Sequence, residues 1–279
     1  MINTHKAVLY PNAENDPDFK MAKHVGAIFE KKGWETSLCQ YPNRPDISDA
    51  DIVVTFGGDG TILHAARAAA DIGVPILGIN MGGKGFIAEL EADDIELIET
   101  VPAGNYRIET RMMINIEVIR NDKVVFHDFA LNDIVIKGDN KIIDMTVYGD
   151  DEMITHFSGD GTVIATPTGS TAYSMSAGGP IVEPTAKNII ITPICAHILE
   201  AKSFVLVATR VVTVDIECKK GISAFVSVDG GQHVEIQSGD TVKVHKSEKS
   251  ANLMRLSDTS FYHKLSSKLI SGIIKKERE

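Results

Sequence analysis

Hydrophobic and polar positions in the first hundred residues follow two alternating patterns. Short apolar runs rich in β-branched residues occupy 7–10, 52–56 and 75–79, and such runs are typical of buried strands. Apolar residues recur at helical spacing over 19–29 and 62–70, and a further helix is predicted near 93–101. Strands that alternate with helices favour an α/β layer with a mostly parallel sheet.

The pattern changes at about residue 107. Short β-branched segments separated by turn signals lie at 113–119, 124–129, 133–136, 144–148, 163–165, 204–208, 213–217, 224–228 and 241–244. That many strands predict an all-β, sandwich-like domain. Helical spacing returns at 261–274, and we expect this last helix to pack back on the first domain. We therefore predict a Rossmann-like α/β domain at 1–105, a β-rich domain at 106–257 and a returning helix at 258–279.

Composition narrows the class of protein. A net charge of -10 and a pI near 5.4 argue against non-specific binding to nucleic acid or acidic membranes. No apolar run approaches the roughly 20 residues of a membrane span, and the first residues lack the hydrophobic region of a signal peptide, so we expect a soluble cytoplasmic protein. Neither the three widely spaced cysteines nor the histidines form a metal-ligand pattern. No metal ligand from the protein is predicted.

The loop 57–61 is the first candidate for chemistry. Three glycines and one carboxylate stand between a predicted strand and a predicted helix. Glycines let the backbone approach a ligand, and free N–H groups at a helix start attract anions. A carboxylate there is anomalous unless it holds a metal ion or takes a proton, which makes Asp59 the candidate catalytic residue. His64, on the first turn of the helix, is a candidate to face the ligand. The predicted phosphate-binding residues are Gly57, Gly58, Gly60 and Thr61.

Three further segments carry polar groups in unusual places. A second glycine-rich loop, 80–86, follows the strand at 75–79, and loops at the carboxyl ends of separate strands can line one site. The stretch 158–180 is dense in small polar residues, suited to ribose hydroxyls, phosphates and base edges, although structural turns explain many such runs. Asn132-Asp133 interrupts an apolar run. Buried polar groups need partners, and either a bound diol or amide or a local bulge or turn would supply them.

Taken together, these motifs resemble those of NAD kinases, which phosphorylate NAD to NADP. The resemblance rests on Gly57-Gly58-Asp59-Gly60-Thr61, on Asn132-Asp133 and on the run that begins with Thr166-Pro167-Thr168-Gly169-Ser170 and ends at Pro180. Segments 80–86, 191–195 and 227–230 add to it. Diacylglycerol kinases, sphingosine kinases and phosphofructokinases carry a similar first motif, so the later motifs decide between these families.

The resemblance implies an N-terminal α/β domain, a C-terminal β-sandwich and a homodimer or homotetramer. It implies that Asp59 accepts the proton of the 2′-hydroxyl of the adenosine ribose and that the loop 57–61 receives the phosphates of ATP with Mg²⁺. Asp160 would lie at the nicotinamide end of NAD. The other residues that the resemblance assigns to NAD are Gly60, Asn132, Asp133, Thr171, Ala172, Tyr173 and Ser176.

The chain departs from the common family pattern at several positions. Ser158 stands where many relatives have arginine, Lys84 replaces an apolar residue, and an additional glycine precedes Gln232. The roles of these three residues are left open. The leading interpretation is an NAD kinase that uses ATP or polyphosphate. The alternatives are a lipid or sugar kinase with the same first motif and a non-catalytic dinucleotide-binding regulator. A Rossmann dehydrogenase is disfavoured because the first βαβ unit lacks a Gly-x-Gly-x-x-Gly turn.

Overall fold

The computed structural model describes residues 5–83, 85–197, 201–218 and 223–276, with side chains up to residue 268. The chain divides into two units, of which the first holds Met1–Thr110 with Ala251–Glu279 and the second holds Arg111–Ser250. The domain limits predicted at residues 105 and 257 stay a prediction. Within the described part of the chain, no helix has the length and apolar character needed to cross a membrane.

Parallel strands form the centre of the first unit. The strands are β1 (Lys6–Pro11), β2 (Glu35–Leu38), β3 (Ile52–Gly57), β4 (Ile76–Asn80) and β5 (Leu90–Glu91). They pair in the order β5-β4-β3-β1-β2, all in parallel. The helices are α1 (Lys20–Lys31) and α2 (Asp59–Ala69), and 3-10 segments occupy Pro17–Phe19 and Ala92–Thr100. The predicted parallel α/β layer is therefore confirmed.

Burial explains which of these elements the sequence predicts. Every residue of β3 and β4 is buried, as their continuous apolar runs require in a sheet covered on both faces. Helix α1 turns Val25 and Phe29 into the core, against Val54 and Leu77. Strand β2 lies at the sheet edge without a buried residue, so it leaves no hydrophobic signal. The helix predicted near 93–101 is a 3-10 segment interrupted at Asp94.

Antiparallel strands form two sheets in the second unit. The strands are β6 (Arg107–Arg120), β7 (Lys123–Ala130), β8 (Asp133–Gly138), β9 (Ile143–Gly149), β10 (Glu152–Gly159), β11 (Gly161–Ala165), β12 (Asn188–Ile194), β13 (Phe204–Val207), β14 (Val212–Glu217), β15 (Ala224–Val228), β16 (Val234–Ile236) and β17 (Thr241–Arg255). One short helix, α3, spans Tyr173–Ser176 after a 3-10 turn at Gly169–Thr171.

The two sheets enclose one apolar core. One sheet runs β10-β9-β14-β17, with β6 beside β17 and β7 beside β6; the other runs β13-β12-β11-β8-β15-β16. Ile136 and Ile164 of the second sheet share a buried cluster with Val147 and Val214 of the first. Along β9, alternating residues point into this cluster. The predicted β-sandwich is confirmed.

The chain returns to the first unit at its C-terminus. Leu253, near the end of β17, pairs in parallel with Ile76 of β4, and α4 follows at Phe261–Lys276. Lys264 of α4 forms an ion pair with the buried Glu89 at 3.0 Å, and Lys268 pairs with Glu91 at 3.3 Å. The predicted packing of the last helix on the first domain is therefore confirmed.

Candidate active site

Asp59 lies where the two glycine-rich loops of the first unit meet. It is the first residue of α2, and Gly58 alone separates it from β3. Its carboxylate accepts the backbone N–H of Phe86 at 2.8 Å and that of Ile87 at 3.1 Å. A Cβ atom at Gly85 would lie 2.6 Å from Asp59 Oδ1, so only glycine permits this approach. The second loop therefore holds the carboxylate of the first.

The surroundings of Asp59 change its affinity for a proton. Burial raises the pKa of Asp59 above that of an ordinary aspartate, although the N–H groups of Phe86 and Ile87 and the charge of Lys268 act in the opposite direction. Burial is the larger effect because it removes water from the charged form. An ionised Asp59 is thus a stronger base than a carboxylate in water, as the acceptor of a hydroxyl proton needs to be.

The loop 57–61 exposes only part of its length. Gly60 is exposed and Gly58 is half-buried, whereas Gly57 and Thr61 are buried. The N–H of Thr61 already donates to the carbonyl of Gly58 at 3.0 Å, and a Cβ at Gly57 would lie 2.3 Å from Thr61 Oγ1. The side chain of Thr61 therefore closes the turn from inside, and the accessible backbone belongs to Gly58 and Gly60.

His64, on the same helix as Asp59, joins an aromatic cluster with Tyr10 and Tyr41. Its Nδ1 lies 2.7 Å from the hydroxyl of Tyr10, which donates to the carbonyl of Asn43 at 2.8 Å. The ring stacks on Tyr10 at 5.9 Å and meets the edge of Tyr41 at 5.4 Å. Since the hydroxyl proton of Tyr10 is used on Asn43, Nδ1 of His64 is the protonated nitrogen. Burial also lowers the pKa of His64, so the ring is neutral at pH 7. Its predicted contact with NAD stays a prediction.

Asn132 and Asp133 are held by a residue far away in the sequence. The carboxylate of Asp229 accepts the N–H groups of Leu131 at 2.8 Å, Asn132 at 2.7 Å and Asp133 at 3.1 Å. The N–H of Asp229 donates to the carbonyl of Asp133 at 2.9 Å. Asp229 was not among the predicted site residues. Its place in the segment 227–230, directly after the apolar run of β15, was the available signal.

The side chains of this pair carry unusual electrostatics. Asn132 is 8% exposed, and its Oδ1 is buried with no hydrogen-bond partner among the described residues. An unpaired buried amide oxygen is costly unless a ligand donates to it. Burial and the neighbouring charge of Asp229 raise the pKa of Asp133 to about 7. The turn therefore presents one free acceptor and one carboxyl group that gains a proton near neutral pH.

The segment 166–176 packs directly on this turn. Thr166 Oγ1 donates to the carbonyl of Leu131 at 2.5 Å and accepts the N–H of Gly169 at 3.1 Å. A Cβ at Gly169 would lie 2.0 Å from the carbonyl oxygen of Asn132. The N–H of Thr166 donates to the carbonyl of Asn132 at 2.9 Å. The second and third motifs of the sequence are therefore one structural unit.

The predicted adenosine-contacting residues differ in exposure, and Asp160 lies apart from them. Thr171 is buried, Ala172 is half-buried, and Tyr173 and Ser176 are exposed. Asp160 precedes β11, whose last residue, Ala165, pairs with Asp133. Five strand residues at about 3.3 Å each place Asp160 roughly 16 Å along the sheet from the Asp133 turn.

Of the three residues that depart from the family pattern, two lie in the described part of the chain. Ser158 Oγ donates to the carboxylate of Asp144, so it serves the sheet of β9 and β10. Gln232 is exposed in the segment before β16. Lys84 lies outside the described residues.

Two family models match this chain. The family model described as the ATP-NAD kinase N-terminal domain matches residues 16–106, and that of the ATP-NAD kinase C-terminal domain matches residues 131–256. A protein named NAD kinase from Caldanaerobacter subterraneus subsp. tengcongensis is 40% identical over 279 aligned residues, covering 95% of this chain and 98% of the relative. The chain belongs to the NAD kinase family.

Solved structures of the NAD kinase family share the fold. The crystal structure of an NAD kinase from Archaeoglobus fulgidus in complex with ATP has a TM-score of 0.75 and 28% identity, covering 96% of this chain and 99% of that one. The crystal structure of yeast NADH kinase complexed with NADH has a TM-score of 0.84, covering 96% and 88% of the two chains. At 22% identity this second likeness shows the fold.

Proposed function

We propose that this protein is an NAD kinase that transfers the terminal phosphate of ATP to the 2′-hydroxyl of the adenosine ribose of NAD, giving NADP. Membership of the family and the name of the relative that is 40% identical over most of the chain support this activity. The observation that carries the proposal is the carboxylate of Asp59, held by two backbone N–H groups at the start of α2 with a raised pKa.

The reaction assigns a separate task to each part of the loop 57–61. As the 2′-oxygen forms its bond to the γ-phosphorus, the bond from that phosphorus to the β,γ-bridging oxygen breaks and ADP leaves. Asp59 takes the hydroxyl proton. The start of α2 and the accessible backbone of Gly58 and Gly60 favour the negative charge of the donor phosphates. Gly57 and Thr61 support the turn from inside.

The dinucleotide is assigned to the residues of the second unit. Asn132 offers to a donor group of NAD its Oδ1, which has no partner in the described part of the chain, and Asp133, Thr171, Ala172, Tyr173 and Ser176 hold the adenosine part. Asp160, roughly 16 Å along β11 at about 3.3 Å per residue, takes the nicotinamide end. Such a separation suits an extended dinucleotide. Gly60 and His64 complete the proposed contacts with NAD.

A divalent cation enters with the nucleotide in this proposal. The described residues contain no group of three or more His, Cys, Asp or Glu side chains that could hold a metal ion. Mg²⁺ commonly binds through substrate phosphates and keeps several waters, and we propose that it enters as a Mg²⁺–ATP complex. When bound, the ion neutralises charge on the transferred phosphate.

We also propose a cytoplasmic homodimer or homotetramer and a domain division at residues 1–105, 106–257 and 258–279.

Initial rates with defined substrate pairs test the activity. Purified protein of known mass in solution is supplied with Mg²⁺ and with ATP or polyphosphate as donor, and with NAD or NADH as acceptor. Diacylglycerol and fructose 6-phosphate serve as control acceptors. We expect NADP from NAD and ATP, with no transfer to the controls. Binding of NAD without NADP formation would instead support a non-catalytic regulator, and phosphorylation of a control acceptor would support a lipid or sugar kinase.

A further inference from the structure

Helix α4 brings a lysine to the segment that holds Asp59. Lys268 Nζ donates to the carbonyl of Gly85, one residue before the two N–H donors of Asp59. Its ammonium group also lies 5.8 Å from the centre of the Phe86 ring. The Lys268 side chain is 17% exposed, so most of it is buried where it reaches this carbonyl. One contact thus joins the C-terminal helix to the loop 81–87.

A second path leads from Lys268 to the beginning of the same loop. Lys268 Nζ lies 3.3 Å from Glu91 Oε1, and the other oxygen of Glu91 accepts from Asn80 Nδ2 at 2.6 Å. The same Nδ2 donates to the carbonyl of Gly83 at 3.1 Å. Lys268 therefore supports the loop directly at Gly85 and, through two side chains, at Gly83.

The loop needs such ties because its sequence provides little order. Gly82 and Gly83 adopt φ angles of +130° and +100°, and a Cβ atom at either would meet nothing within 4 Å. Glycine loses more conformational freedom on ordering than other residues, so ordering Gly82 and Gly83 costs free energy that contacts elsewhere in the loop must offset. The donors of Phe86 and Ile87 follow this glycine run directly. Motion of the loop would therefore change the orientation of the Asp59 carboxylate.

We propose that Lys268 is a positioning residue for the kinase reaction: by fixing the carbonyls of Gly85 and Gly83, it holds the two N–H groups that orient the Asp59 carboxylate. This inference rests on the proposed function of Asp59. Lys268 acts on the acceptor-activating group through the loop. Its loss should slow turnover more than it weakens substrate binding.

Three variants separate this role from general stabilisation by α4. Lys268→Met removes the donor and its charge, and Lys268→Arg keeps both. Lys264→Met is the matched control, since Lys264 lies one turn earlier on α4 and pairs with the buried Glu89. A misplacement of about 1 Å at a reacting group can cost on the order of 100-fold in rate. We expect Lys268→Met to lower kcat on the order of 10- to 100-fold, with KM for NAD and ATP changed less than about threefold. Arginine at 268 should restore most of the turnover, and Lys264→Met should keep kcat.

Hydrogen–deuterium exchange of the unliganded protein gives a readout that needs no activity. Peptides containing residues 86 and 87 should exchange faster in Lys268→Met than in the wild type or in Lys264→Met. Unchanged exchange, near-normal kcat, or a raised KM with kcat preserved would each overturn the proposal. If Lys268→Met does not fold, Lys268→Gln is measured in the same way. A wild-type protein that makes no NADP would refute the proposed function alone, because the exchange comparison would still decide whether Lys268 orders the loop.

Discussion

Replacing Asp59 with asparagine tests the centre of the proposed mechanism. The carboxylate accepts two N–H groups, at 2.8 Å from Phe86 and 3.1 Å from Ile87. A carboxamide has one acceptor oxygen and one NH₂ donor. One of the two backbone donors therefore loses its acceptor and faces another donor. The substitution removes the proton acceptor and weakens one hydrogen bond at the same time.

These two effects have different magnitudes and different readouts. Loss of general-base help typically costs 10²- to 10⁴-fold in rate, which corresponds to about 3–5 kcal/mol of transition-state stabilisation. A hydrogen bond to a charged group contributes about 1.5–3 kcal/mol to stability. We therefore expect a steep fall in kcat together with a smaller fall in the free energy of unfolding. NAD affinity should change less than about threefold, since the proposed binding groups of the second unit are intact.

The assay combines rates, binding and folding on the same preparations. NADP formation gives kcat, calorimetry gives the Kd for NAD, and urea unfolding gives stability. Asp122→Asn, at an exposed turn position, controls for loss of one negative charge and should leave kcat unchanged. In the wild type, the raised pKa of Asp59 places the acid limb of kcat at higher pH than an ordinary aspartate would, with activity lost as pH falls. An Asp59→Asn enzyme that is folded and retains near-normal turnover would refute the reasoning.

Three further substitutions test the supporting structure. Burial raises the pKa of Asp133 from 3.8 to about 7, so its contribution to stability is lost as pH rises through 7. Asp133→Asn should therefore be more stable than wild type by over about 1 kcal/mol at pH 8. A gain in urea unfolding that does not shrink towards pH 5 would contradict this. Glu89→Gln removes one of the two carboxylates that pair with the buried Arg255, together with the partner of Lys264, and should cost about 1.5–3 kcal/mol in urea unfolding at pH 7. The pKa of Glu89 is lowered by its cationic partners despite burial, so this difference should narrow as pH falls, and a pH-independent cost would contradict it. Gly169→Ala places a Cβ 2.0 Å from the carbonyl oxygen of Asn132 and should cost about 1–3 kcal/mol or more and weaken NAD binding, whereas unchanged melting and calorimetry would count against the close contact.

The fold class follows from local patterns that the sequence contains in full. Continuous apolar runs predict β3 and β4 because both faces of a parallel sheet are buried. Alternation predicts the sandwich strands, such as β9, because one face meets the core. Strands β2, β5, β10, β12 and β16 were not predicted, and the helix predicted near 93–101 is the 3-10 segment Ala92–Thr100. An exposed edge strand has no apolar face to reveal it, and a kink at Asp94 breaks the helical period.

The sequence by itself determined which residues carry chemistry in this NAD kinase family member, because a carboxylate in a glycine turn and an Asn-Asp pair in an apolar run are anomalies that can be read locally. Only the tertiary structure decided what holds those residues in place. Asp229 reaches Leu131 across 98 positions, and Lys268 reaches Gly85 across 183. Contacts between residues so far apart in the sequence are set by how strands and helices pack. The local spacing of residue types does not predict them. For the same reason, the environment that raises the pKa of Asp59 depends on the loop 81–87 closing over a carboxylate whose place in the sequence was already evident.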